Sequence, residues 1–248
     1  MVDAVFQQDG FDVRLDWGEH GVTALAPACA VLVIVDVLSF STATTIAVGN
    51  GARVLPLRWR DERAAQQADA AGAVLAGTNG WTLRPASLVE LPAGTLLGLP
   101  SPNGATLCAH ASTFPDTTVL VGCLRNASAV AALAVALAGS RPVGVIAAGE
   151  RWGIDIRHEH GDGTALRPCV EDMLGAGAIV EALPGSRSPE AELAAAAFAA
   201  SRGRLAGLLH GCASGQELRA SGHRADVDLA AMHDVSAATP KLTDGVLG

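Results

Sequence analysis

The run Val31 to Val37, VLVIVDV, is apolar at every position but one, which is how a strand covered on both faces reads. A polar turn, Leu38-Ser39-Phe40-Ser41, follows it. Thr42 to Asn50 then reads as a helix, with Ser41 or Thr42 as its N-cap and Gly51 closing it. The same grammar returns along the chain. Short apolar strands are predicted at Arg53 to Leu57, Ala73 to Ala76, Thr95 to Leu99, Thr118 to Gly122 and Val143 to Ala148. Ala-rich helical segments fall at Asp61 to Ala71, Gly104 to Ala111, Ala127 to Ala138, Val170 to Leu183 and Pro189 to Phe198. This alternation predicts a three-layer α/β fold, a mostly parallel sheet flanked by helices. The stretch Gly185 to Gly203, which opens GSRSPEAE, reads as a surface excursion or subdomain joint.

With 248 residues the chain is long enough for one large α/β domain over 1–248, or for two intimately packed α/β halves with the site between them. Half of its residues are hydrophobic and 17% are charged, so a disordered chain is excluded. The formal net charge of -8 leaves no basic stripe for nucleic acid. The only lysine is Lys241, near the end, which removes Schiff-base chemistry and the Walker phosphate loop. No apolar stretch approaches the roughly 18 residues of a membrane span, and the start lacks a basic, then apolar leader. No membrane partner and a cytoplasmic location are therefore expected. The five cysteines show no CxxC spacing and read as buried thiols, Cys123 beside Arg125 being the one whose surroundings favour a thiolate. Ala-rich faces on the helices make a homodimer the expectation for assembly.

Three strands run into turns rich in Ser, Thr and Asn at helix starts: LSFSTATT, PSPNGAT (Pro100 to Thr106) and GCLRNAS (Gly122 to Ser128). Helix starts present free N–H groups, and a parallel sheet gathers such ends at its carboxyl edge, so an anion-binding cleft is expected there. Ordinary helix capping would use the same residues. Ser41, Thr42, Asn103, Arg125 and Asn126 are the candidate anion ligands, Arg125 for its planar, permanently charged fork.

The candidate acids sit at the same edge. Asp36 ends the strongest strand, where an acid holds a divalent cation or a reacting hydroxyl, or else caps a neighbouring helix. Glu150 follows the strand VGVIAA. Glu171 and Asp172 open a helix, where they complement its dipole or face Mg²⁺. Gly175 and Gly177 in that helix point to close backbone approach by a neighbour, since no G-x-G-x-x-G is completed. His158-Glu159-His160-Gly161-Asp162 lacks zincin spacing and reads as an exposed loop. No G-x-S-x-G elbow and no cysteine-phosphatase spacing occurs.

The blocks VIVDVLSFSTATTIAVGNGA, LPSPNGATL, GCLRNASAVA, AAGERW, LRPCVEDMLGAGAIVEAL and CASGQEL…GHRADVDLA, in this order, resemble the 2-phosphosulfolactate phosphatase (ComB-like) family over about Val31 to Ala230. The resemblance implies Mg²⁺-dependent hydrolysis of a phosphate ester of a small polyanionic hydroxy acid, nominally 2-phosphosulfolactate to sulfolactate. It departs from the family's D-V-L-R-A-T block, because Ser39 stands where that pattern has Arg; Arg151, in GERW, offers a replacement charge. On this reading Asp36, Glu171 and Asp172 hold Mg²⁺, and Glu150 is the general base or acid. Ser41, Thr42, Asn103, Arg125, Asn126 and Arg151 bind the substrate. Two rival readings remain: a phosphatase for another phosphorylated hydroxy acid, and a non-catalytic binder of a small anionic metabolite.

Overall fold

A computed structural model describes residues 4–152 and 165–248. The stretch His158 to Asp162, expected to be an exposed loop, lies outside the described residues. The central sheet contains β1 (Val13–Trp17), β2 (Val31–Val35), β6 (Thr118–Gly122) and β7 (Val143–Ala147), in the order β1-β7-β2-β6 and all parallel. Val31, Val33 and Val35 face one layer of the core and Leu32 and Ile34 the other, so every β2 residue is buried. That is why the run lacks polar alternation.

A second sheet contains β3 (Arg53–Leu57), β4 (Val74–Leu75) and β5 (Leu96–Pro100), mutually parallel, plus the antiparallel hairpin β10 (Leu242–Thr243) and β11 (Val246–Leu247) on the β3 edge. The chain entering β10 joins the sheets, since Val121 N–H donates to Pro240 O at 2.9 Å and Leu120 bridges Lys241. A two-residue ladder between β8 (Glu150–Arg151) and β9 (Leu166–Arg167) stands beyond β7.

The main helices are α1 (Gly18–Leu25), α2 (Phe40–Gly49), α3 (Glu62–Ala70), α4 (Gly104–Ala111), α5 (Ala127–Ala138), α6 (Val170–Ala182) and α7 (Pro189–Ser201). α1, α2 and α4 cover the Leu32 face, and α5, α6 and α7 the Val33 face. Three short helices follow: α8 (Leu205–Gly211), α9 (Ala213–Ala220) and α10 (Arg224–Ala230). Among the described residues no helix is long and apolar enough to cross a membrane.

The α7 segment corrects one expectation. It is no surface excursion: Ala191, Ala194, Ala195 and Phe198 are buried in the core against α6. Gly177 makes that packing close, and Gly175 brings α6 equally close to the end of β2. A Cβ on Gly175 would stand 2.5 Å from Val37 Cγ2, and one on Gly177 would stand 2.1 Å from Ala194 O. The second obstacle is backbone and cannot rotate away. Gly177→Ala is therefore expected to lose stability at the upper end of the ~1–3 kcal/mol typical of overpacking, read as a lower urea midpoint at unchanged slope. The strand β1 escaped the sequence pattern because one of its residues, Arg14, is polar yet buried. Its guanidinium donates to Phe11 O and Gln7 O and pairs with Asp9, tying the N-terminal segment to the sheet.

Candidate active site

Asp36 lies one residue past β2, at 5% exposure. Its Oδ2 accepts the N–H of Gly104 at 2.8 Å, the first residue of α4, and faces the Ser101 hydroxyl at 3.5 Å. A carboxylate at a helix start is favoured by the exposed N–H groups there. Gly104 is required for this approach, because a Cβ on it would lie 2.9 Å from Asp36 Oδ2 and 2.3 Å from the Phe40 ring. Burial pushes the Asp36 pKa up to about 6, against the pull of the Gly104 and Phe40 N–H groups and with a further push from Glu171.

Glu150 follows β7, the neighbour of β2, and its carboxylate accepts a hydrogen bond from the Asn103 amide. Burial raises its pKa to about 7, the charge of Asp36 adds to this, and Arg167 and Asn103 act in the opposite direction. Asp36 and Glu150 face one cavity of about 320 Å³, together with Ser39, Ser101 and Asn103. The same cavity is also lined by Arg60, Arg84 and His223, with Ser214 and Glu217 from α9. A second cavity, of about 290 Å³, opens on the other side of the Asn103–Glu150 pair and contains Glu19, His20, Thr106 and Arg151.

Asp172 stands behind this site as a brace. Its Oδ1 accepts Val37 N–H at 2.7 Å and its Oδ2 accepts Gly149 N–H at 2.8 Å. It thereby clamps the residues next to Asp36 and Glu150. Burial pushes its carboxyl well above the usual range, and the charges of Glu171 and Asp36 add to that. Glu171, also buried, sits close enough to raise both aspartates and the Cys212 thiol.

Of the expected site residues, Asp36, Asn103 and Glu150 meet at the cavity. Ser41 and Thr42 instead hold the turn: Ser41 Oγ accepts Asp36 N–H and donates to Ile34 O, and Thr42 donates to Val37 O. Asn126 is buried, accepting Cys123 N–H and donating to Ala238 O. Arg125 turns the other way, donating to Leu229 O at 2.9 Å, and the turn Gly122 to Ser128 contributes nothing to either cavity wall. Arg151 pairs with Glu19 at 3.2 Å in the second cavity. Cys123 is no activated thiol, because burial pushes its pKa up, and all five cysteines are buried and unpaired.

The expected ligand set of Asp36, Glu171 and Asp172 is not built as a cage. Among the described residues no three His, Cys, Asp or Glu side chains stand together as a metal site, and Glu171 and Asp172 do not line the cavity. The chemistry present still suits Mg²⁺, which takes hard oxygen donors and is commonly held by one or two carboxylates completed by water and substrate phosphate. Asp36 is the buried carboxylate that faces the cavity. Sequence reasoning missed Arg60, Arg84 and His223, although Arg60 follows the carboxyl end of β3, the edge where parallel sheets place their sites.

Parallel strand ends that present two acids and a polar helix start to one small cavity form the kind of site where α/β enzymes hold small polar ligands. The family described as 2-phosphosulpholactate phosphatase matches residues 20–245. The chain belongs to that family, and it is a phosphatase. No curated protein matches the chain significantly.

The raised carboxyl groups make stability depend on pH. Asp36 and Glu150 bind protons in the folded state up to about pH 6 and about pH 7, whereas in the unfolded chain they release them near their ordinary values of 3.8 and 4.5. Between these limits the folded state holds more protons, so stability falls as pH rises. The stabilisation is fully present below the unfolded values and lost through the folded ones. Between pH 4.5 and pH 7.5 Asp36 alone accounts for a loss of roughly 2 kcal/mol, or a fall in Tm of roughly 4–8 °C. Calorimetry across that window checks it; a Tm that rises with pH would refute it.

Proposed function

We propose that the protein hydrolyses the phosphate monoester of a small anionic hydroxy acid with Mg²⁺ as cofactor, 2-phosphosulfolactate being the first substrate to try. The observation that supports this most is the pairing of Asp36 and Glu150 across one cavity at the carboxyl ends of adjacent parallel strands. Asp36 would hold Mg²⁺, which when bound neutralises phosphate charge and acidifies water. Glu150, with a pKa of about 7, exchanges protons readily at neutrality and suits the removal of a proton from an attacking water. Asn103 fixes the Glu150 carboxylate, while Asp172 fixes the backbone on either side of the pair. Asn103 also lines the cavity, where its amide can orient the ester.

A second substrate reading, another phosphorylated hydroxy acid, is favoured by Ser39. It lines the cavity with a short neutral side chain where the family pattern leads one to look for Arg. The test is phosphate release from 2-phosphosulfolactate and a panel of phosphorylated hydroxy acids, with Mg²⁺ and with EDTA. Metal-dependent release is the expected result, and its ranking assigns the substrate. Absence of release from every ester by folded protein would refute the proposal.

A further inference from the structure

We propose that His223 and Arg84 form a pH-sensitive latch at the cavity, closed while the imidazole is neutral and released when it takes up a second proton. Two chain segments distant in sequence meet there. Leu83 and Arg84 precede the short turn Pro85–Leu88, while Leu218 lies in the last turn of α9 and His223 between α9 and α10, and all four residues line the cavity. The segments touch where an Nη1–H of Arg84 reaches His223 Nδ1 at 3.1 Å. A guanidinium only donates, so this contact needs an Nδ1 without a proton, and the neutral ring carries its proton on Nε2. A second proton then has only Nδ1 to go to. It removes the acceptor and sets two cations against each other. Histidine is the side chain whose charge changes in this way between about pH 5 and pH 8.

The local backbone makes this side-chain contact consequential. Gly222, at φ 83°, ends α9 in the left-handed conformation that favours glycine. The turn brings His223 N–H onto Leu218 O at 2.8 Å, which fixes His223 to a cavity-lining residue of α9. On the facing segment, Arg84 Nε–H donates to Thr82 Oγ1 at 3.1 Å, so the guanidinium is oriented from behind. Two residues further on, Ala86 N–H donates to Oδ1 of the buried Asp226 at 2.7 Å, and Asp226 N–H donates to His223 O at 3.2 Å. That tie does not involve the imidazole. The junction thus has a fixed pin at Asp226 and a releasable catch at His223.

The charged groups around the ring come from several elements. Arg84 touches it, Arg224 and Asp226 stand beside it on α10, and Arg60, Glu217, Asp36 and Glu150 share its cavity. The acids favour the second proton and the arginines oppose it. Arg224 is turned to Asp228, at 3.6 Å, and Asp226 is engaged with Ala86. Release of the catch parts the end of α9 from the Leu83–Arg84 segment, so the cavity loosens and ligand binding weakens as pH falls through the imidazole range.

The test follows hydrogen exchange of the backbone amides at 222 and 223, which close the end of α9, in wild type, His223→Asn and Arg84→Ala. Rates are expressed as protection over the intrinsic rate at each pH. Asn offers Arg84 an amide oxygen near the place of Nδ1 and does not titrate. At pH 8 the wild type and His223→Asn should agree within about twofold, and at pH 5.5 the wild type should be at least about threefold less protected. Arg84→Ala, without the catch, should show the lower protection at both pH values, and it decides the matter should the Asn variant not fold. The Ala86 amide, held by the pin, should change by less than about twofold. Nitrogen NMR of the wild-type imidazole at pH 8 should find the proton on Nε2. A proton on Nδ1, protection that does not fall with pH relative to the variant, or an equal loss at Ala86 would overturn the proposal. With an ester that is hydrolysed, KM should rise between pH 8 and pH 5.5 at least about threefold more in wild type than in His223→Asn, because titration of Asp36, Glu150 and the ester is common to both. Parallel KM profiles would overturn the effect on ligand binding. Absence of turnover would refute the phosphatase reading alone, since the exchange comparison decides the latch without it.

Discussion

Asp36→Asn is expected to lower phosphate release by at least about 10³-fold while leaving the thermal midpoint unchanged or raised. The two effects separate because the amide keeps what the fold needs and loses what the reaction needs. An Asn carbonyl can still accept the Gly104 N–H now held at 2.8 Å, and the side chain fills the same space beside Phe40. What disappears is a buried negative charge that burial and Glu171 both disfavour in the metal-free protein. Removing it relieves the fold and, on the proposed reading, would deprive Mg²⁺ of a carboxylate ligand. The measurement is steady-state phosphate release against Mg²⁺ concentration, with calorimetry on the same samples. Activity retained within tenfold of wild type would show that Asp36 takes no part in the reaction. A collapse of the midpoint would show instead that its charge is structural.

What could be read in the chain beforehand follows from how local each cause is. VLVIV announces a strand buried on both faces because burial demands apolar residues, and Asp36 stands out as the acid that ends it. Glu150 and Asn103 were legible for the same reason: each begins where an apolar run stops, and a parallel sheet brings such ends together. Arg125 was misread because a long side chain chooses its direction from distant partners. Leu229 and Met232, about a hundred residues on, draw it away from the cavity. Ser41 and Thr42 look like ligands in a polar turn, yet the buried backbone beneath them needs their hydrogen bonds first. Arg60, Arg84 and His223 belong to three irregular segments, and only the assembled fold brings them to one cavity.

Glu171 and Asp172 show the same limit at neighbouring positions. Adjacent acids at a helix start signal dipole complementation, and nothing local says that one of them will reach between two strand ends. In the folded chain the α6 start faces the gap between β2 and β7, and Asp172 spans it. The carboxylates that face the ligand are thus held in place by one that does not.

That arrangement predicts a large effect from a residue outside the cavity. Asp172→Ala leaves the N–H groups of Val37 and Gly149 buried without their acceptors. At about 1–3 kcal/mol for each orphaned group, the loss should reach roughly 2–6 kcal/mol, a sizeable share of a domain's stability. Asp172→Asn should lose less, since its carbonyl still serves one N–H and it resembles the uncharged carboxyl that burial favours at this position. Activity should follow position more steeply than stability does. Val37 adjoins Asp36 and Gly149 adjoins Glu150, so slackening both clamps misplaces the two acids together, and a displacement of about 1 Å is enough to lower turnover about 10²-fold. Urea unfolding ranks the variants, and kcat against KM shows where the loss falls. A brace affects kcat in both variants, with partial recovery in Asn over Ala. Unchanged unfolding in Asp172→Ala, or a loss confined to KM, would mean that Asp172 does not hold these loops in place.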